Sequence, residues 1–331
     1  AENRWLWVAA GGGDEVARID LEGLLAYAAE LPEASPERLS DSRRYVVERY
    51  PVGDNPRGLR SFGGDVVVAE RLSDALAVLS PSGEMRRTAV GGPVPTDEIR
   101  RGDGVFHDAS YAFQGAFSCR SCHPGGHTDG LTYDFDIDGV GRDVVLNRSL
   151  RGVRGTEPFK WVGLNPTLAR QCGPRFAMVL TRADVFPEES LEALVAYIES
   201  LPAPRPAAGA GRLSGADSGA IERGRLIFER RQRKNGTPIA AEDRCDTCHS
   251  GAHFTNRQMA DVGTGTPYDK SSEFDVPHLT GVGSKAPYLH DGRATTLEEI
   301  WTLPGVGDQH GVMTDLNKSD LNDLVEYLKS L

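Results

Sequence analysis

Residues 119–123, Cys-Arg-Ser-Cys-His, and residues 245–249, Cys-Asp-Thr-Cys-His, share the pattern C-x-x-C-H. Two thiols three positions apart on a short helical turn can reach the two vinyl groups of one porphyrin, and the next histidine then lies under its iron. A zinc knuckle or a redox dithiol also uses C-x-x-C, but neither requires a histidine directly after both copies. The motifs therefore predict two covalent c-type haems. The predicted attachment cysteines and proximal histidines are Cys119, Cys122 and His123 in the first motif and Cys245, Cys248 and His249 in the second.

The composition is typical of a soluble globular protein, since 39% of the 331 residues are hydrophobic and 26% are charged. No stretch approaches the roughly 18 apolar residues that span a bilayer, so no membrane span is predicted. The net charge of -11 argues against nucleic acid as a partner, because phosphate binding needs clustered Lys and Arg. Because haem is attached to cysteine outside the bacterial cytoplasm, we expect a periplasmic or secreted protein whose signal peptide has been removed.

Residues 1–94 form a β-rich segment in which short apolar or alternating runs are separated by Gly, Asp, Asn, Pro and Ser turns. We expect strands at Trp5–Ala10, Val16–Asp20, Asp65–Ala69 and Ala75–Leu79. The stretch from residue 55 to residue 92 resembles one blade of a β-propeller. A whole propeller needs at least four blades of roughly forty residues, and only one or two fit here. The segment is either the end of a longer propeller or a small sheet of its own.

After this segment the pattern becomes helical and repeats itself. Residues 150–153 (Leu-Arg-Gly-Val) and 158–161 (Pro-Phe-Lys-Trp) align, 129 positions later, with residues 279–282 (Leu-Thr-Gly-Val) and 287–290 (Pro-Tyr-Leu-His). Each half also ends on a stretch with helical apolar periodicity. The chain therefore contains the same unit twice.

The repeat predicts a mainly α protein with two tandem class I cytochrome c-like haem domains behind the β-rich segment. The first haem domain is expected at residues 95–201 and the second at residues 213–331. Residues 202–212 between them are rich in Pro, Ala and Gly, which is typical of a semi-rigid linker.

Residues 95–331 resemble the bacterial dihaem cytochrome c peroxidase and MauG superfamily, in its propeller-linked subgroup. The resemblance rests on the two motifs and on residues 286–293, Ala-Pro-Tyr-Leu-His-Asp-Gly-Arg. It implies that the first haem reacts with peroxide and that the second relays electrons. It also implies a tryptophan between the haems and a distal glutamine ten residues after it, and Trp161 and Gln171 keep that separation.

The chain departs from the family pattern at two positions. Members that need reductive activation carry a second histidine about sixteen residues after the first attachment histidine, where this chain has Gly139. No histidine lies between His127 and His249, which resembles the MauG-like members with a first haem open to peroxide. The distal glutamate expected ten residues after the glutamine is replaced by Thr181, so the usual acid/base for O–O cleavage is replaced too.

The distal ligand of the second haem is expected on the loop before the last helix, where class I cytochrome domains usually take it. This loop contains His310 and Met313, and we favour His310 because His-Gly before the terminal helix resembles the propeller-linked members. Met178 lies in the equivalent loop of the first domain. Either it binds the first iron and closes that iron to peroxide, or it is a core residue. The resemblance also implies a calcium ion between the domains, with Asn147 as a candidate ligand whose spacing is one residue short.

These features predict a periplasmic dihaem c-type oxidoreductase that uses hydrogen peroxide at an open first haem. Gln171 would line the peroxide pocket, and Trp161 would share oxidising equivalents between the haems. The second haem would relay electrons from a small cytochrome c or cupredoxin, or from a protein substrate. The alternative is a dihaem electron-transfer cytochrome with two six-coordinate irons and no catalysis.

Overall fold

The computed structural model describes residues 4–30, 41–134, 143–204, 218–303 and 307–331. The chain divides into two compact units, Ala1–Cys119 and Arg120–Leu331. No helix in the described part of the chain is long and apolar enough to cross a membrane. Gly139, most of the predicted linker and the first three residues of the loop before His310 lie outside the described residues.

In its described residues, the first unit contains two antiparallel sheets. Its strands are β1 (Trp5–Ala10), β2 (Glu15–Asp20), β3 (Val46–Pro51), β4 (Pro56–Phe62), β5 (Asp65–Glu70), β6 (Ala75–Leu79) and β7 (Met85–Ala89). Strands β1 to β3 form one sheet and β4 to β7 form a four-stranded sheet, each in chain order. The strands predicted from hydrophobic alternation correspond to β1, β2, β5 and β6 and are confirmed.

Alternate residues of β5 and β6 face one core. Val66, Val68, Ala77 and Leu79 are buried, whereas the residues between them are more exposed, as a strand with one buried face requires. Val16 of β2 belongs to the same buried cluster. The two sheets therefore share one hydrophobic core.

Two helices also belong to the first unit. They are α1 (Leu21–Glu30) and α2 (Glu98–His107). Helix α1 directly follows β2 and interrupts the segment that we expected to be β-rich. Arg71, in the turn after β5, donates to both carboxylate oxygens of Asp103 on α2 at 2.8 and 2.9 Å. This bidentate ion pair attaches α2 to the four-stranded sheet.

The remaining helices are short, apart from three of 11 to 13 residues. They are α3 (Cys119–Cys122), α4 (Leu168–Gln171), α5 (Pro174–Phe176), α6 (Glu188–Ser200), α7 (Ser218–Phe228), α8 (Cys245–Cys248), α9 (Glu299–Thr302) and α10 (Lys318–Ser330). A π-helical turn covers Ala177–Thr181. The 3₁₀ turns among the described residues are Ser42–Arg44, Ala109–Tyr111, Phe113–Gly115, Pro124–Gly126, Ala241–Asp243 and Val282–Ser284. Two antiparallel strand pairs complete the second unit: β8 (Thr132–Tyr133) with β9 (Val145–Leu146), and β10 (Met259–Asp261) with β11 (Glu273–Asp275).

Helices α7 and α10 cross closely because a glycine lies at their contact. A Cβ on Gly224 would overlap the backbone oxygen of Asp323, so any side chain there would separate the helices. Arg223 donates to the carboxylate of Asp323 at 2.7 and 2.9 Å. Phe228 of α7 and Leu324 of α10 belong to the largest buried cluster of this unit. The last helix is thus fixed against the helix that precedes the second motif.

The sequence repeat is also a backbone repeat. Phe159 and Asn165 form an isolated antiparallel bridge, and Tyr288 and Ala294 form the same bridge 129 residues later. The residue after Phe159 and the residue after Tyr288 are both left-handed, with φ of 72° and 69°. The same local fold therefore occurs twice, once after each C-x-x-C-H motif.

Candidate functional site

The two C-x-x-C-H motifs form matching helical turns, α3 and α8. Residues three apart in a helix lie on one face, so the two cysteines of each turn point to the same side. All five cysteines of the chain lie among the described residues, and none forms a disulfide. Each turn therefore presents two thiols with the spacing that attachment to one porphyrin needs.

A backbone carbonyl holds the histidine that follows each motif. Nδ1 of His123 donates to the carbonyl oxygen of His127 at 3.0 Å, and Nδ1 of His249 donates to that of Phe254 at 3.1 Å. A ring that uses Nδ1–H in this way presents an unprotonated Nε2, which is the form that binds a metal. Burial lowers the pKa of both imidazoles and so favours this neutral form.

A second imidazole faces His249. The ring centroids of His249 and His310 are 6.3 Å apart, with 33° between the ring planes. A metal–nitrogen bond of about 2.0 Å, extended by about 1 Å to each ring centre, separates two imidazoles on opposite sides of one ion by about 6 Å. Nδ1 of His310 is buried and has no hydrogen-bond partner among the described residues. The gap between the two rings therefore fits one iron ion.

The electrostatics of His310 agree with a ligand role. Burial, with a smaller contribution from His249, lowers the pKa of His310 to about 4. At neutral pH the imidazole is therefore uncharged and keeps a lone pair for a metal. Protonation of His310 would place a positive charge in a buried site beside another imidazole, which is unfavourable.

The loop of His310 is fixed on both sides. The indole N–H of Trp301 donates to the backbone oxygen of His310 at 2.9 Å. Gly311 has φ of 76°, and a Cβ there would lie 3.3 Å from Sγ of Cys245. Met313, the alternative ligand, packs against the buried cluster of α7 and α10. Of the two candidate side chains, His310 lies beside the ring of His249 and lines the same cavity, whereas Met313 is not among the lining residues.

A cavity of about 200 Å³ adjoins this histidine pair. It is lined by Cys245, Cys248, His249 and His310, and by residues of the first half that include Trp161. Its wall is mainly apolar, with buried residues of the α7 and α10 cluster. Thiols, facing imidazoles and an apolar wall are what a covalently attached porphyrin requires.

Trp161 is buried between the two halves. Its indole N–H donates to the carbonyl oxygen of Leu146 at 2.8 Å, and it packs with Leu146 and Phe274 in a small buried cluster. The ring of His290 contacts it edge-on, with 6.5 Å between centroids. The guanidinium of Arg148 lies 4.9 Å from the centre of the indole. The sequence pattern identified Trp161 as the candidate tryptophan between the haems but predicted none of these contacts.

His290 has a defined place beside Trp161. Its ring stacks on Phe274 with 3.9 Å between centroids and 12° between planes. Its Nε2 lies 3.1 Å from a carboxylate oxygen of Asp269, and burial, the largest influence, lowers the pKa of its imidazole. His290 therefore orders the surroundings of Trp161.

An ion pair joins the halves close to Trp161. Arg148 donates to Asp275 at 2.7 Å, and the side chain of Asp275 is almost fully buried. Burial raises the pKa of the Asp275 carboxyl, and Arg148 opposes this rise. Sequence reasoning missed the pair because the two residues are 127 positions apart and neither belongs to a motif.

The predicted pocket residue Gln171 ends α4. The side-chain amide of Asn165 donates to its Oε1. This contact fixes the orientation of the Gln171 amide and leaves its NH₂ group to act as a donor. The role of Gln171 in a peroxide pocket stays a prediction.

Thr181 ends the π-helical turn and is buried. Its hydroxyl donates to the carbonyl oxygen of Ala177 at 3.0 Å. Thr181 precedes His310 by 129 residues, the offset of the backbone repeat. Both residues are followed by a left-handed residue, Arg182 with φ of 51° and Gly311 with φ of 76°. Thr181 is thus the residue that aligns with His310 in the repeat, although Thr181 ends a π-helical turn and His310 lies in a bend.

Two further candidates have simple surroundings. The side chain of Met178 is 73% exposed. The amide of Asn147 donates to the backbone oxygen of Cys122 at 2.6 Å and to Asp129 at 3.2 Å. Within the described ranges, no group of three or more His, Cys, Asp or Glu side chains could hold a metal ion. The ligand role of Met178 and the calcium site at Asn147 stay predictions.

Sequence comparison identifies several related proteins. Hydrazine synthase subunit gamma of Kuenenia stuttgartiensis is 32% identical, with 72% of this chain and 79% of that protein covered. MauG, a methylamine utilization protein of Methylorubrum extorquens, is 24% identical, with the same two coverages. Cytochrome c peroxidase Ccp of Escherichia coli K12 is 24% identical, with 72% of this chain but only 59% of that protein covered. No family model matches the chain.

Comparison with solved structures finds proteins of the same kinds. A structure of Kuenenia stuttgartiensis hydrazine synthase under xenon matches with a TM-score of 0.60 and 30% identity, covering 72% of this chain and 89% of that one. A MauG-like protein associated with microbial copper homeostasis matches in fold, with a TM-score of 0.52, 20% identity and coverages of 74% and 91%. The fold and the paired motifs define a dihaem oxidoreductase. The chain belongs to the dihaem cytochrome c peroxidase and MauG superfamily, as its motifs predicted.

Proposed function

We propose that this oxidoreductase reduces hydrogen peroxide at its first haem and exchanges electrons with a protein partner through its second haem. The difference between the two distal positions carries the proposal. His310 faces His249 across a gap that fits one iron, whereas the backbone repeat has Thr181 at the equivalent position of the first half. A threonine hydroxyl bonded to a backbone carbonyl leaves the first iron open to a substrate.

The cofactors follow from the two motifs. When bound, the two haems would supply peroxide reduction and one-electron transfer. Cys119, Cys122 and His123 would hold the first haem, and Cys245, Cys248 and His249 would hold the second. We assign His310 rather than Met313 as the distal ligand of the second haem, because His310 lies beside His249 and lines the same cavity.

Two residues of the first half would support the reaction. Gln171, held by Asn165, would donate its amide N–H to a peroxide oxygen and orient it. Trp161, buried between the halves, would carry oxidising equivalents from one haem to the other. Its indole N–H donates to a carbonyl, which cannot accept a proton at neutral pH. Electron loss from Trp161 would therefore proceed without proton transfer.

The domain organisation and the cell compartment complete the proposal. Residues 95–201 and 213–331 would be the two haem domains, and residues 1–94 would be a propeller-like segment of one four-stranded blade and a smaller sheet. Covalent haem attachment supports a periplasmic or secreted location. A small cytochrome c, a cupredoxin or a protein substrate would donate electrons to the second haem.

A second candidate replaces peroxide with a small nitrogen compound. The relative with 32% identity is a hydrazine synthase subunit, whereas the peroxidase and MauG relatives are 24% identical. The same open first haem would then bind a nitrogen atom instead of an oxygen atom. Gln171 would donate to this ligand in the same way.

Stopped-flow spectroscopy of the diferric protein tests the proposal. Hydrogen peroxide should change the Soret band without prior reduction, because no histidine has to leave the first iron. A reaction that starts only after one haem is reduced would show an activation-dependent peroxidase. A spectral response to hydrazine but not to peroxide would favour the second candidate. Two low-spin haems that respond to neither compound would show the electron-transfer cytochrome.

A further inference from the structure

Basic side chains border the cavity beside the second motif. Nζ of Lys285 lies 3.0 Å from Nε2 and 3.3 Å from Nδ1 of His278. Arg148, from the other half, lines the same cavity. Neither the attachment of the porphyrin nor the ligation of its iron uses these three residues.

The charge of this cluster is not balanced by acidic groups. The one ion pair of Arg148 in the described part of the chain is with Asp275. Lys285 forms no ion pair with a described carboxylate, and its polar contact is His278. Burial, followed by Arg148, lowers the pKa of Lys285 to about 7. Burial also lowers the pKa of His278, with Lys285, Arg148 and His253 adding to the effect.

These side chains are therefore suited to an anion. Burying the Lys285 ammonium near the Arg148 guanidinium costs free energy unless a negative charge compensates it. A carboxylate at this place would restore the full charge of Lys285 and accept a hydrogen bond from it. The chain supplies its nearby carboxylate, Asp275, to Arg148. A bound carboxylate would supply the compensating charge for Lys285.

The same cavity contains Cys245, Cys248 and His249. A porphyrin joined to the two cysteines through its vinyl groups has its propionate carboxylates on another edge of the ring. Cys245, Cys248 and Lys285 line one cavity. A propionate of a porphyrin attached to the two cysteines would therefore extend within this cavity toward Lys285.

We propose that Lys285, flanked by His278 and Arg148, forms a carboxylate-binding site and that a propionate of the second haem occupies it. This inference rests on the covalent attachment of the second haem under the proposed function. Lys285 is then a positioning residue for the second haem, and its positive charge raises the reduction potential of that haem. The alternative occupant of this site is a free carboxylate from solution.

Spectroelectrochemical titration of the holoprotein tests this role. Lys285→Met should shift the Fe(III)/Fe(II) equilibrium of the second haem about tenfold toward Fe(III). This shift lowers the reduction potential of that haem by about 59 mV for one electron. Lys285→Arg keeps the charge and should keep the wild-type potential. Lys318→Met is the matched control, since Lys318 is exposed and pairs with Glu298 at the surface. A wild-type potential in Lys285→Met would overturn the proposal.

Two further measurements make the result decisive. Acetate added to the wild-type holoprotein should leave the potential unchanged, because the propionate already fills the site. A saturable acetate effect that Lys285→Met abolishes would show a free carboxylate and overturn the propionate assignment. If Lys285→Met does not fold, Lys285→Gln removes the charge at similar length and gives the same test. Peroxide inertness of the diferric protein would end the peroxidase proposal and leave this potential shift measurable.

Discussion

In the second unit, two positions 129 residues apart carry different side chains, Thr181 in the first half and His310 in the second. His310 faces His249 in the second half, and Thr181 bonds to its own helical turn in the first. The next residue is left-handed in both halves, although Thr181 ends a π-helical turn and His310 lies in a bend. One repeated scaffold can therefore offer a closed metal position and an open one.

The surroundings of His310 in the second half also differ from those of the first half. In the second half, Trp301 holds the carbonyl of His310, so the ligand loop is fixed. In the first half, Asn165 donates to the side-chain oxygen of Gln171 and so orients the Gln171 amide. A fixed ligand pair suits electron transfer, because the iron keeps both ligands in both oxidation states. A donor beside an open iron suits substrate binding.

The number of haems is the broadest test of this comparison. The wild-type chain should hold two covalent haems that remain after extraction with acidified acetone. Replacing Cys245 and Cys248 by alanine should leave one, because the first motif stays intact. Mass spectrometry and the pyridine haemochrome spectrum measure both numbers. A wild-type protein with one haem, or with zinc, would contradict the assignment of both motifs.

The next test opens the closed half. His310→Ala should convert the second haem from low-spin to high-spin, because His249 would then be its only histidine ligand. Electron paramagnetic resonance of the ferric protein should show this change for the second haem alone. Met313→Leu is the control and should leave the spectrum unchanged. The reverse outcome, a silent His310→Ala and a high-spin Met313→Leu, would make Met313 the ligand.

The complementary test closes the open half. Thr181→His introduces an imidazole at the position equivalent to His310. It should turn the first haem low-spin and abolish its reaction with peroxide in the diferric protein. Thr181→Val, which cannot ligate iron, should stay high-spin and reactive. If Thr181→His leaves both readouts unchanged, Thr181 does not lie on the distal side of the first haem.

Local chemistry was predictable from the sequence, and long-range contacts were not. The two motifs, four strands and the terminal helix follow from spacing and periodicity within short windows. Helix α1 was missed although its Leu, Ala and Glu residues have high helix propensity, because the whole segment was predicted as β-rich from the strands around it. The pair of Arg148 and Asp275 joins residues 127 apart, which no pattern within a short window predicts.

A smaller effect is expected at the contact between the halves. Trp161→Phe keeps an aromatic ring but removes the easily oxidised indole and its hydrogen bond to Leu146. Peroxide should still react at the first haem, while oxidation of the second haem should slow by at least about tenfold. Stopped-flow spectra at the Soret bands of the two haems measure both steps. Trp5→Phe is the control, since Trp5 is exposed, and equal behaviour of the two variants would exclude Trp161 as the carrier.

The smallest expected effect concerns the residue after His310. Gly311→Ala adds a Cβ in left-handed backbone and 3.3 Å from Sγ of Cys245. We expect it to lower the free energy of unfolding of the holoprotein by about 1–2 kcal/mol, the cost of left-handed strain plus a tight contact. Gly307→Ala is the matched control, because Gly307 is also left-handed but a Cβ there would meet no atom within 4 Å.

The first half explains why this last difference is informative. Arg182 occupies the equivalent position with φ of 51°, so the repeated turn accepts a side chain there. If the contact with Cys245 sets the requirement for glycine, Gly311→Ala should be less stable than Gly307→Ala and should also perturb the low-spin signal of the second haem. Equal unfolding free energies of the two variants would show that backbone conformation alone selects glycine. The loop of His310 would then owe its position to Trp301 and not to the attachment turn.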